Sequence, residues 1–276
     1  MRTALIQMCS GDDPVANLAD MRTRLAEAAE RGAVFALTPE VSNCVSGSRS
    51  HQQDVLRLED DDATLAGLRQ QAAGLRLWLL IGSLALKTGD ADGRFANRSF
   101  LIGPDGAIVA RYDKIHMFDV QVTPEETFRE SEAYRPGNRA VVADTPFGRI
   151  GMSICYDLRF PHLYQALAGA GATILTVPAA FSPVTGAAHW QSLLRARAIE
   201  NGAWVLAPAQ TGDHPVTRGR PRRTHGHSLA VSPWGEVVAD GGTAPGVHVF
   251  DLDPGAVGAA RHKVPSLSHI RPFDGP

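Results

Sequence analysis

The sequence predicts an α/β sandwich built on mixed sheets, and three observations carry that reading. Strand-like apolar runs alternate with amphipathic helical stretches along most of the chain. Three further strand pairs flank the turns Gly103-Pro-Asp-Gly106, Thr145-Pro-Phe-Gly148 and Ser232-Pro-Trp-Gly235. No linker interrupts the alternation. An all-parallel doubly wound sheet would not need three hairpins, so the sheets are expected to be mixed. With 276 residues and 44% hydrophobic content, the chain can bury a full core.

The elements follow in order. Residues 3–8 read as a strand, and residues 17–31 as a helix with Leu18, Met21 and Leu25 on one face. Residues 34–38 form a second strand that ends at Pro39-Glu40. Residues 62–74 are helical, and residues 77–81 are a buried strand. Residues 97–111 and 140–154 each form a hairpin. Pro161 suits the first position of a helix over 161–169. A strand over 173–177, a helix over 187–202 and a strand over 203–207 come next. The third hairpin pairs 228–231 with 237–239, and residues 247–252 are the last strand. Residues 212–224 and 266–276 are polar, Pro-rich and expected to be irregular.

Composition narrows the function classes. A net charge of −2 gives no reason to expect nucleic acid or an anionic membrane as partner. The one basic cluster, Arg218-Gly-Arg-Pro-Arg-Arg223, reads as a solvated loop, with contact to an anionic ligand as the alternative. Three scattered cysteines cannot make a disulfide framework and fit a reducing cytoplasm. The N-terminal residues carry no signal-peptide pattern, and no apolar run reaches membrane-spanning length. There is no metal-ligand spacing and no Gly-rich phosphate loop, so neither a metal nor a nucleotide cofactor is expected.

Cys155 carries most of the functional signal. It lies between the apolar run 150–154 and the helix that opens at Pro161, on a tight strand-to-helix turn. Such a turn exposes a nucleophile, and a nearby helix terminus favours the thiolate. The plainer alternative is a small core hydrophobe. Glu40 closes a strand, where active-site groups of α/β folds gather. Partly desolvated there, it would have a raised pKa and serve as a general base; a surface glutamate is the alternative. Lys114 is a single cation among apolar and aromatic neighbours just past a hairpin strand, suited to holding an oxyanion or, more plainly, to packing its stem on the surface. Glu130 lies in a long loop and could orient Lys114, but Glu132 is equally eligible on residue physics. Ten histidines make a Cys–His pairing easy to suggest, with His189 and His227 as the nearest candidates and structural hydrogen bonding as their default.

Taken together, Leu37-Thr-Pro-Glu40, Tyr112-Asp-Lys-Ile-His116 and Ile154-Cys-Tyr-Asp-Leu-Arg-Phe-Pro161 resemble the three landmarks of the nitrilase superfamily of carbon–nitrogen hydrolases. The likeness runs from residue 1 to about residue 265, one domain followed by a short tail. Within it, Lys-Ile-His-Met-Phe-Asp at 114–119, Ala180-Phe-Ser-Pro-Val-Thr-Gly at 180–186 and Gly226-His-Ser228 are similar to the Nit branch, the group of omega-amidases and deaminated-glutathione amidases.

The resemblance implies a four-layer α-β-β-α sandwich, usually a homodimer or higher homo-oligomer. It implies Cys155 as nucleophile, Glu40 as general base, and Lys114 with the Tyr156 amide as oxyanion donors. Glu130 matches the family's additional glutamate. The implied reaction is hydrolysis of a small carboxylate-bearing amide through a thioester, releasing ammonia or an amine. Such a substrate needs a cationic contact, because a buried carboxylate without a partner is costly. Arg159 is the first candidate for it, with a structural salt bridge as the alternative. Tyr156, Phe181 and His189 are candidates to line the acyl pocket. His162 and the segment 121–127 depart from the branch pattern and bear on substrate choice. Rival readings are N-carbamoyl-amide or nitrile hydrolysis, a Cys–His hydrolase, and an inert scaffold that keeps the fold.

Overall fold

The computed structural model describes residues 1–124 and 126–275. Glu125, in the departing segment 121–127, and Pro276, the last residue of the tail, lie outside the described residues.

Two six-stranded mixed sheets form the centre. The first runs from edge to edge as Gly246–Asp251, Arg2–Gln7, Phe35–Leu37, Trp78–Lys87, Phe95–Ile102 and Ile108–Asp113. The second runs as Val237–Asp240, Leu229–Val231, Trp204–Ala207, Ile174–Thr176, Gly148–Met152 and Val141–Thr145. In each, three central strands are parallel and the flanking strands antiparallel.

Strand alternation sorts the side chains into layers. Leu5, Leu37, Leu80 and Leu101 of the first sheet share a core with Ile150, Met152, Leu175 and Leu206 of the second, so the sheets pack face to face. The alternate residues Ala4, Ile6, Ala36, Leu79 and Ile81 pack instead on Met21, Leu25, Leu65 and Leu68. Those four belong to the helices Pro14–Glu30 and Ala63–Leu75, capped by Asp13 and Asp62. Helices Pro161–Gly169 and Pro183–Asn201 cover the other sheet through Leu163, Leu167, Trp190 and Leu194. The layers are therefore α-β-β-α.

Several elements differ from the sequence expectation. The strand expected at 77–81 continues to Lys87, because Gly82 lets it pass against the segment that carries Glu40; a Cβ there would collide with the Thr38 carbonyl oxygen. The segment 212–224 is irregular only in its middle, since Thr211–Asp213 pairs with Arg223–His225. Asp119–Gln121 pairs with Thr127–Arg129 in a second short ribbon. Helices Arg49–Val55 and Gly255–Lys263 were not expected: the first is short and polar, and two glycines mask the second. In the tail, Ser266–His269 forms one 3₁₀ turn.

Candidate active site

Glu40, Lys114, Cys155 and Glu130 come together at one cavity of about 470 Å³, each delivered by the end of a strand or a short turn. Glu40 follows Phe35–Leu37 through Pro39. The chain then reverses at Val41, whose φ of 45° is left-handed in a β-branched residue, a strained conformation that needs local support. The support comes from the Ser83 hydroxyl, which accepts the Val41 N–H at 2.8 Å. Lys114 follows Ile108–Asp113, its backbone held on Asn97 and Gly137. Glu130 opens the short helix Glu130–Ala133.

Cys155 links the strand Gly148–Met152 to the 3₁₀ turn Cys155–Arg159, with a φ of 48°. Its own N–H donates to the Pro178 carbonyl at 3.0 Å, so that amide is occupied. The next amide, Tyr156 N–H, lies in the first turn of the 3₁₀ helix and has no hydrogen-bond partner among the described residues.

The polar contacts are specific. Lys114 Nζ donates to Glu40 Oε1 at 2.9 Å and to both Glu130 oxygens at 2.8 Å. Asn97 Nδ2 donates to Glu40 Oε1 at 2.8 Å, and Ala180 N–H to Glu40 Oε2 at 2.8 Å. Phe118 N–H holds Glu130 Oε2 at 2.6 Å. Glu132 is exposed and offers only its backbone carbonyl, to Arg49. Geometry thus separates two glutamates that residue physics left equal. The Cys155 thiol stands beside Glu40 and the Ala180 amide.

The electrostatics correct two expectations. Burial alone would raise the Glu40 carboxyl, but Lys114 and then Arg222 outweigh it and hold it below the ordinary glutamate value. Glu40 is therefore an anion, not a carboxyl poised near neutrality. Burial pulls the Lys114 ammonium toward neutrality, and Glu130 and Glu40 reverse this, leaving it above the usual lysine range. The thiolate is not favoured at Cys155: burial and the Glu40 charge push the thiol well above the usual value, with Lys114 opposing. The resting site holds a carboxylate, an ammonium and a neutral thiol.

Asp157 was not singled out in the sequence, although it lies inside the Cys155 motif. Fully buried, it accepts from Tyr112 Oη at 2.6 Å, Ile154 N–H at 2.8 Å and His116 N–H at 3.0 Å, and it meets His116 Nδ1 at 2.7 Å. It ties the cysteine turn to the segment just after Lys114. Arg197 reinforces the turn from the helix Pro183–Asn201, donating twice to the Leu158 carbonyl.

Of the residues expected to bind substrate, Tyr156 and Phe181 line the cavity. Arg159 and His189 do not. Arg159 lies over the ring of Phe181, 5.5 Å from its centre, and its guanidinium meets the exposed His189 at 3.3 Å. Arg222 lines the cavity instead. No histidine lines the cavity among the described residues, which removes the basis for a Cys–His pair. No cluster of three metal-ligating side chains occurs among the described residues.

A buried carboxylate, ammonium and thiol at the shared end of two sheets define a hydrolase that works through a cysteine. The chain belongs to the carbon–nitrogen hydrolase family, whose model matches residues 2–262. It is 39% identical over 269 residues to the deaminated glutathione amidase of Yersinia enterocolitica, covering 97% of this chain and 92% of that one. Its fold matches the NitFhit protein of C. elegans with a TM-score of 0.90 and 35% identity, over 98% of this chain but only 65% of that longer one. It also matches a mutant of the amidase from Nesterenkonia sp. AN1 in which acrylamide has added to the active-site cysteine, with a TM-score of 0.76 and 27% identity over 96% of this chain and 98% of that one.

Proposed function

We propose that this chain hydrolyses the amide bond of a small carboxylate-bearing molecule of the deaminated-glutathione or 2-oxo acid omega-amide type. The observation that carries the proposal is the convergence of Glu40, Lys114 and Cys155 within one cavity, in a chain whose relative is named for that amidase activity.

Each group has one task. Glu40 takes the thiol proton as Cys155 Sγ bonds to the amide carbon, so the nucleophile is made only at the moment of attack. The oxyanion that forms is held by the Lys114 ammonium and the free Tyr156 N–H. Each such donor contributes roughly 3–4 kcal/mol to the transition state. The proton held on Glu40 passes to the nitrogen, the C–N bond breaks, and ammonia or an amine leaves a thioester on Cys155. Glu40 then takes a proton from water, whose oxygen attacks the thioester carbon. The C–S bond breaks, the thiol is reprotonated and the acid departs. Glu130 orients Lys114 and touches no reacting atom in this scheme.

The proposal extends to assembly and setting. Residues 1–265 act as one catalytic domain, with 266–276 as a tail available to an interface. Ile199, Trp234, Val264 and Phe273 are exposed, which suits a homodimer contact. Three free cysteines suit a reducing cytoplasm.

A panel of deaminated glutathione, 2-oxoglutaramate, an N-carbamoyl amide and a nitrile, assayed for ammonia or amine release, tests the reading. Wild-type protein is expected to favour the first two, and Cys155→Ala to be inactive on all. Residual wild-type activity in Cys155→Ala, or a preference for the nitrile, would reject it.

A further inference from the structure

Asn97 stands between the two carboxylates of the site. It is buried, lines the cavity, and comes from the strand Phe95–Ile102. Its Nδ2 donates to Glu40 Oε1 at 2.8 Å and to Glu130 Oε1 at 3.4 Å. Its backbone carbonyl accepts the Lys114 N–H at 3.0 Å. One residue thus holds the base by its side chain and the lysine by its backbone. The amide fits only one way round, because both neighbours of its nitrogen are carboxylate oxygens, which only accept. The other end, Oδ1, is buried and has no hydrogen-bond partner among the described residues. Buried polar atoms are normally satisfied. The fold alone therefore gains little from an amide here, and its use lies at the nitrogen end.

A count of donors shows that use. The Lys114 ammonium has three N–H bonds, and its three contacts are Glu40 Oε1, Glu130 Oε1 and Glu130 Oε2. To hold an oxyanion it must let one of them go. Each of the three oxygens has a second donor ready: Asn97 Nδ2 for both Oε1 atoms, and Phe118 N–H for Glu130 Oε2. The same count sorts the two oxygens of Glu40. Oε1 accepts from Lys114 and Asn97, which fills both its lone-pair positions. Oε2 accepts only the Ala180 N–H and keeps one position open for a proton. The charged and titratable groups facing Glu40 are Lys114, Arg222 and Cys155, with Glu130 across the lysine.

We infer that Asn97 is a positioning residue of the hydrolysis: it keeps Glu40 Oε1 bound while Lys114 turns an N–H to the oxyanion, and so confines proton exchange to Oε2. The inference rests on the amidase reading above and adds to it the group that holds the base still.

The test uses deaminated glutathione, with kcat, KM and the pH dependence of kcat/KM measured on wild-type protein, Asn97→Ala and Asn97→Asp. Asn97→Ala is expected to lower kcat by roughly 10–100-fold, the range for one hydrogen bond to a charged group, with KM little changed. Loss of a donor to a carboxylate favours its protonated form. The acid limb of kcat/KM should therefore move toward neutral pH by about one to two units. Asn97→Asp keeps the size of the side chain and should behave in the opposite sense. Protonated, the new carboxyl still donates to Glu40; ionised, it repels both glutamates, so kcat/KM should fall as pH rises. A side chain that only fills space would give neither shift. Asn97→Asp also keeps the inference testable if the alanine variant folds poorly, which urea midpoints reveal. A wild-type kcat and pH profile in Asn97→Ala, a loss of kcat with the acid limb unmoved, or an Asn97→Asp profile that does not fall with rising pH would each overturn the inference while leaving the amidase reading intact. No hydrolysis by wild-type protein would overturn both.

Discussion

Lys114 Nζ and Glu40 Oε1 stand 2.9 Å apart, with the two side chains only 2% and 5% exposed. Each fixes the charge of the other. The carboxylate cannot be neutralised cheaply while the ammonium is beside it, and the ammonium is further held by Glu130. The site therefore holds a carboxylate and an ammonium around an uncharged thiol.

Removing one partner leaves an uncompensated buried charge. Lys114→Met is expected to cost about 3–5 kcal/mol of stability, read as a lower urea midpoint. Glu40→Gln should keep more of the fold, because an amide can still accept from Lys114, yet lose about 10³-fold or more in kcat, since it removes the base from both half-reactions. Urea melts and steady-state rates on the same two variants separate these effects.

The charge states also set the pH profile. Glu40 ionises below its usual value of 4.5, and the thiol stays protonated beyond its usual 9.0. The profile of kcat/KM is expected to be flat from about pH 5 to about pH 9, without the limb near 6.5 that a histidine base would give. The sign for stability is that of a depressed carboxylate: the Glu40 contribution is present above the unfolded pKa and is lost as pH falls through the folded one. A pH–rate profile with an acid limb near 6.5 would contradict the assignment of Glu40 as base.

Asp157 is the hinge pin between the nucleophile turn and the Lys114 segment, since it binds Ile154 on one side and His116 on the other. Asp157→Ala orphans buried donors and is expected to cost about 3 kcal/mol or more. Because the turn that aims Cys155 loosens, kcat should fall further than the stability loss explains. Rates measured well below the unfolding midpoint, against Asp157→Asn, which keeps an acceptor, check this.

His214 is buried and neutral. Burial lowers its pKa to about 4, with Arg222 adding to the effect and the Ser10 carbonyl opposing it. An unfolded chain takes up that proton near pH 6.5, so stability is expected to fall between about pH 6.5 and pH 4, by roughly 3 kcal/mol in all. His214→Gln should flatten this part of the curve. Urea midpoints for both proteins at the two ends of that window give the comparison.

Much of the fold was legible because its signals are local. The strand expected over 3–8 is found at Arg2–Gln7, and Pro161 opened its helix where expected. Glu40, Lys114 and Cys155 were legible as a set because strand ends in such folds converge, and because their motifs resemble a known family. What escaped depended on distance in the chain. Arg159 is four residues from Cys155 but does not line its cavity, whereas Arg222 is 67 residues away and does. The pKa directions of Glu40 and Cys155 were misjudged for the same reason: the first depends on how close Lys114 stands and the second on burial beside Glu40, which no local pattern states. The pairing within 211–225 was hidden by a Pro- and Arg-rich middle that carries no strand signal.

The central claim is that the substrate passes through a thioester on Cys155. Mass spectrometry of the protein, quenched in acid during turnover of deaminated glutathione, tests it most directly. The expected result is the 2-oxo acyl group on the peptide that contains Cys155, formed as the dipeptide amine is released and lost on further incubation. An acyl group on any other residue, or sustained turnover with Cys155 unmodified at every quench time and undiminished in Cys155→Ala, would contradict it.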